Sequence, residues 1–115
     1  MDREKLIAVG IDYDEALRRF AGATDLFEGF LKEMAIMRVI EPLSKALADG
    51  NVEEAFAVAH TLKGNFGNMS VKPLFEKITP IAEELKKGNL ERAKELYIYL
   101  EQQYNVIAEG IIKAM

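Results

Sequence analysis

The chain has 115 residues, a mass typical of one domain, with 50% hydrophobic and 30% charged residues and a net charge of −4. That balance belongs to a folded globular chain and excludes a disordered one, and an acidic chain without a Lys/Arg cluster is a poor ligand for nucleic acid. The absence of cysteine excludes disulfides, thiolate–zinc sites and cysteine nucleophiles, and the single histidine, His60, excludes a His–His metal site within one chain.

No run approaches the ~18–20 apolar residues of a membrane span, so no membrane partner is expected. Met1-Asp2-Arg3-Glu4-Lys5 lacks the apolar core of a signal peptide. There is no phosphate-loop glycine motif and no dinucleotide-binding turn, so no cofactor of the chain's own is expected. The lack of cysteine and of a leader fits a cytoplasmic location. Met1 and the short tail suggest a free-standing protein, though a fragment of a larger kinase would read the same, with one domain over residues 1–115.

The apolar spacing is helical almost throughout. A short helix or turn is predicted over residues 3–9. Asp12 then caps a helix, with Glu15 at the third position as in a capping box, and Ala21-Gly22 ends it. Thr24 is the expected cap of the next helix, which carries Phe27, Phe30, Leu31, Met34 and Met37. It is predicted to run to about Asp49, with a kink or restart at Pro42. Two junctions then look alike, Asp49-Gly50-Asn51 and Lys87-Gly88-Asn89. In each, glycine ends one helix and asparagine starts the next. Helices are predicted over 52–69, over 72–87 with a kink at Pro80, and over 90–112. The fold class is all-α: an antiparallel four-helix bundle with a short additional N-terminal helix.

The helix over 52–69 carries the chemistry. On a helical wheel, Ala55, Val58, Ala59, Leu62, Phe66 and Met69 fall roughly 100° to 200° from His60 and make the core stripe. Phe56, Lys63, Gly64 and Gly67 fall within about 60° of His60. The only histidine is therefore expected at the surface, beside a cation, an exposed aromatic and two glycines. A helix-interior glycine costs about 1 kcal/mol relative to alanine, so two of them ask for a reason. The reason read here is access: without side chains at 64 and 67, an incoming surface reaches the imidazole. A neutral imidazole nitrogen is a nucleophile, and phosphoryl transfer needs positioning and charge stabilisation more than elaborate chemistry.

His60-Thr61-Leu62-Lys63-Gly64, followed by Asn68-Met69, resembles the signature of the histidine phosphotransfer (HPt) domains of two-component phosphorelays. The block from Gly10 to Phe20, with Gly22 and Asp25-Leu26-Phe27, is similar to that family's N-terminal pattern, and the resemblance spans roughly residues 8–105. Asn65 and Phe66 stand where the family has small residues, and Ser70 stands where a glycine is usual, which suggests a different exit turn.

The resemblance implies that His60 accepts a phosphoryl group and Lys63 supports it. Phe56, Gly64, Gly67 and Asn68 would dock the partner. Those partners would be response-regulator receiver domains and a hybrid sensor histidine kinase. The aspartate and Mg²⁺ would belong to the receiver, and the chain would be a carrier without kinase activity. Two other readings stand beside it. One is a bundle with the same docking face that is never phosphorylated. The other is an enzyme using His60 as a general base, which needs an enclosed pocket and a second catalytic group.

Overall fold

Side-chain caps set the starts of four helices. The computed structural model describes residues 1–115 and holds seven helices: α1 (Arg3–Ala8), α2 (Tyr13–Arg19), α3 (Thr24–Ile36), α4 (Glu41–Ala48), α5 (Val52–Asn68), α6 (Lys72–Lys86) and α7 (Leu90–Ala114). Asp2, Asp12, Asn51 and Asn89 each accept a hydrogen bond from the backbone N–H three residues on, at 3.1–3.3 Å. Each bond satisfies a donor that the first turn leaves without a partner, a contribution of about 1 kcal/mol. Gly50 (φ +71°) and Gly88 (φ +81°) end α4 and α6 in the left-handed region that a side chain disfavours. The two similar junctions are therefore the same turn made twice.

Three-residue linkers join α4 to α5, α5 to α6 and α6 to α7, so consecutive helices fold back on one another. The columns close into a ring: α5 packs on α4 and α6, α6 on α7, and α7 on α3 and α4, with α1 laid against α7. One contiguous cluster of 31 buried apolar residues fills the centre. The architecture is the all-α bundle the periodicity predicts, with no strand; one isolated bridge links Ile11 and Val71.

Several details differ from the expectation. The helix predicted over 24–49 restarts at Pro42 as expected, but the break lies upstream of the proline. Residues 37–40 leave the helical path and Arg38 takes φ +46°. Pro42 sits in the first turn of α4, where its missing N–H costs nothing, and its ring disfavours helix just upstream. Met34, Ala35 and Ile40 are buried around this break, whereas Ile36 and Met37 are exposed. Thr24 does not cap α3: Ala23 holds that position, and the Thr24 hydroxyl donates to the Gly22 carbonyl at 3.4 Å. Only half of the capping box at α2 forms. The Asp12 N–H donates to the Ser70 carbonyl instead of to Glu15, whose carboxylate turns elsewhere. Pro80 leaves α6 as one element, and the Thr79 hydroxyl donates to the Phe75 carbonyl at 2.7 Å in the turn before it.

The α3–α4 break is held from α7. The fully buried Tyr104 hydroxyl donates to the Met34 carbonyl and accepts from the Val39 N–H at 3.1 Å. Arg38 covers the Tyr104 ring, 5.3 Å from its centroid. Replacing Tyr104 with Phe takes a hydrogen-bond partner from two backbone groups, the Met34 carbonyl and the Val39 N–H. The expected cost is about 1–3 kcal/mol in urea unfolding, with helical content unchanged.

Candidate functional site

The apolar stripe of α5 decides where its polar face points. Ala55, Ala59, Leu62 and Phe66 are buried, which turns His60 to the solvent side, as the wheel predicts. The imidazole stacks on the Phe56 ring, with centroids 5.9 Å apart and planes at 26°. Phe56 itself is half-buried and packed against the core, not the exposed aromatic expected. Its role at this face is to support the imidazole from one turn below.

Beyond His60, a groove of about 450 Å³ opens to solvent between α5 and the start of α6. His60, Lys63, Gly64, Gly67 and Asn68 line it from α5, and Ser70, Lys72, Phe75 and Arg19 complete it. Five of the six residues singled out in the sequence thus share one surface, and Phe56 touches it through His60. The groove is open to solvent, unlike the enclosed pocket that a general-base enzyme needs.

The two glycines separate in role. A Cβ on Gly64 would meet nothing within 4 Å, so this position is open floor. A Cβ on Gly67 would lie 3.3 Å from the Phe75 ring. Gly67 therefore admits α6, not only an incoming partner, which corrects the expectation that both glycines bare the imidazole. Phe75 also carries the Lys63 ammonium 5.9 Å above its ring, so it fixes the direction of the cation next to His60. Phe75 was not read from the sequence. A three-residue linker centred on Ser70 folds position 75 back near position 67, and that arithmetic could have found it.

Glu15 was also missed as a site neighbour. Its carboxylate receives the Lys72 ammonium at 2.7 and 2.9 Å, the Ser70 hydroxyl at 2.9 Å and the Arg19 Nε at 3.3 Å. These donors, Lys72 first and Ser70 next, pull the carboxyl from 4.5 down to about 2. Ser70 is the one polar residue in the buried set, and it takes φ +54°. The turn that usually uses glycine is here made by a serine held through its hydroxyl.

Next to this groove is a more apolar one of about 370 Å³, formed by Phe20, Phe30, Met34, Val39 and Met69 and sharing Phe66 and Asn68 with the first. Phe30 is exposed, and its ring lies 5.8 Å from that of Phe20. A polar groove around a histidine thus adjoins an apolar one suited to a protein surface.

The family model for the Hpt domain matches residues 25–110. This chain belongs to the Hpt domain family. The match takes in α3 to most of α7, with His60 and its groove inside it. The segment holding α2 and Glu15 lies upstream of the match, although its sequence resembles the family's N-terminal pattern. Neither the curated proteins nor the solved structures give a match. Hpt domains are phosphotransfer modules, carriers of a phosphoryl group rather than enzymes. No helix is long and apolar enough to cross a membrane.

Two outcomes follow for the residues around the groove. Gly64→Ala should stabilise the protein by up to about 1 kcal/mol, because the added methyl meets open space. Gly67→Ala should gain less than that, because its methyl would meet the Phe75 ring at 3.3 Å and the ring must shift to admit it. Urea midpoints of the two variants check the order. For Glu15, the folded carboxyl ionises at lower pH than the unfolded one. Its contribution is complete above about pH 4.5 and is lost as the pH falls toward 2. Between pH 5 and pH 3, the wild-type midpoint should fall further than that of Glu15→Gln.

Proposed function

We propose that the protein is a phosphoryl carrier in a two-component phosphorelay, with His60 as its acceptor. The observation that carries this reading is the position of the only histidine. It is exposed in mid-helix, supported by Phe56, with open floor at Gly64 and the Lys63 cation one turn on.

A ring nitrogen of His60 attacks the phosphorus of an aspartyl phosphate on a receiver domain. The P–O bond breaks, the aspartate leaves as carboxylate and the imidazole N–H proton passes to water. The reverse step hands the group to a second receiver. Lys63 faces the phosphoryl oxygens as they arrive. Gly64, Gly67 and Asn68 let the receiver's active-site edge approach, and the apolar groove with Phe20 and Phe30 at its surface gives it an area to bury. Mg²⁺ belongs to the receiver, and the chain uses no nucleotide and has no kinase activity of its own. A hybrid sensor histidine kinase supplies the first receiver, and the reactions take place in the cytoplasm.

The apolar groove would serve a docking module that is never phosphorylated equally well, so the test must read the covalent step. Incubation with a phosphorylated receiver should give an acid-labile, base-stable phosphate on the wild type. His60→Gln should take up none while keeping its helical signal and its receiver binding. Retained labelling of that variant would move the acceptor, and an unlabelled wild type that binds the receiver would favour the docking module. Lys63→Ala should slow transfer by about fivefold at most, since an exposed charge contact is worth little in water.

A further inference from the structure

Three cations line the groove beside His60: Arg19, Lys63 and Lys72. They are not equivalent. Lys72 holds the Glu15 carboxylate through both oxygens, and Arg19 reaches the same carboxylate from one turn along α2. Lys63 is in no ion pair of the structure and rests over Phe75. The Glu15 carboxylate thus pairs with two of the groove's three positive charges. The Ser70 hydroxyl anchors that acidic group to the linker after α5, which fixes where the charge sits.

We propose that Glu15 sets the electrostatic pull of this groove on a phosphoryl donor for His60, pairing with Lys72 and Arg19 so that Lys63 is the one groove cation in no ion pair. This rests on His60 being the acceptor. The consequence is electrostatic and has a sign. With Glu15 in place, the groove attracts a phosphoryl donor weakly and directs it to the one uncommitted cation. Without it, three free cations draw the same anion more strongly. A single unit charge roughly 10 Å away in water changes the local concentration of an anion by about twofold, and salt removes the effect within a Debye length.

The test needs no partner protein. Phosphoramidate is a small anionic donor: an imidazole nitrogen bonds to its phosphorus, the P–N bond breaks, and the amine leaves as ammonia carrying the imidazole proton. Uptake on His60 is followed by mass spectrometry for the wild type, Glu15→Gln, Lys72→Gln and the double variant, at low salt and at about 0.5 M salt. Glu15→Gln should raise the uptake rate about two- to threefold, and Lys72→Gln should lower it by a similar factor. The double variant should return to near the wild-type rate, and all differences should collapse at high salt. A purely structural role would make both single variants slower, at either salt concentration. That result, or an unchanged rate in folded Glu15→Gln, would overturn the proposal. Loss of the helical signal in Glu15→Gln would also overturn it, by making the contact a structural one. A wild type that takes up no phosphoryl group on His60 is a separate failure, of the acceptor assignment itself.

Discussion

The rotation of α5 about its own axis is the constraint on which the rest of the molecule depends. Leu62 and Phe66 are worth about 1.5–3 kcal/mol each when removed from water, and Ala55 and Ala59 let neighbouring helices approach closely between them. Turning the helix by one residue position would expose part of that stripe and push His60 or Lys63 toward the core. Burying a cation without a partner costs several kcal/mol, so both terms select the same orientation. The surface position of the imidazole is thus a by-product of core packing. It requires no interaction of its own beyond the Phe56 ring beneath it.

This is why the central part of the site was legible in the sequence. Helical periodicity over α5, with the Asn51 cap fixing its start, is local information, and it placed His60, Lys63 and Gly64 on one face without knowledge of any other helix. The turn chemistry of Gly50-Asn51 and Gly88-Asn89 was equally local, and it set one boundary of each of four helices. What was not legible depends on contacts across the chain. Pro42 announced a restart between α3 and α4, but not that residues 37–40 before it leave the helix; there Tyr104, some seventy residues on, supplies the hydrogen bonds that the broken turn lacks. Glu15 reads as a capping-box residue in its own sequence neighbourhood. Its carboxylate nevertheless goes to Ser70 and Lys72, which offer stronger partners than the Asp12 N–H.

The glycine pair shows how one sequence pattern can serve two purposes. Gly64 and Gly67 share a helix face and look equivalent on a wheel. The third dimension separates them, because only Gly67 faces an aromatic ring from α6. The apparent cost of two mid-helix glycines is therefore divided: one lets the bundle close, and one leaves the surface beside the imidazole bare. Phe75 connects the two roles, since the ring that fills the space at Gly67 also supports the Lys63 side chain.

The packing of α1 on α7 bears on the order in which the molecule assembles. The Asp2 N–H donates to the Ala114 carbonyl at 2.7 Å, and Val9 lies where a side chain on Gly110 would otherwise stand. These interactions join segments about a hundred residues apart. Closing so long a loop in an unstructured chain costs on the order of 4 kcal/mol or more in entropy, and a six-residue helix with one buried side chain, Leu6, returns little of it. The three-residue linkers of the α4–α7 hairpins carry almost none of that cost. On loop-closure cost alone, the hairpins are expected to form before the N-terminal helix docks on them.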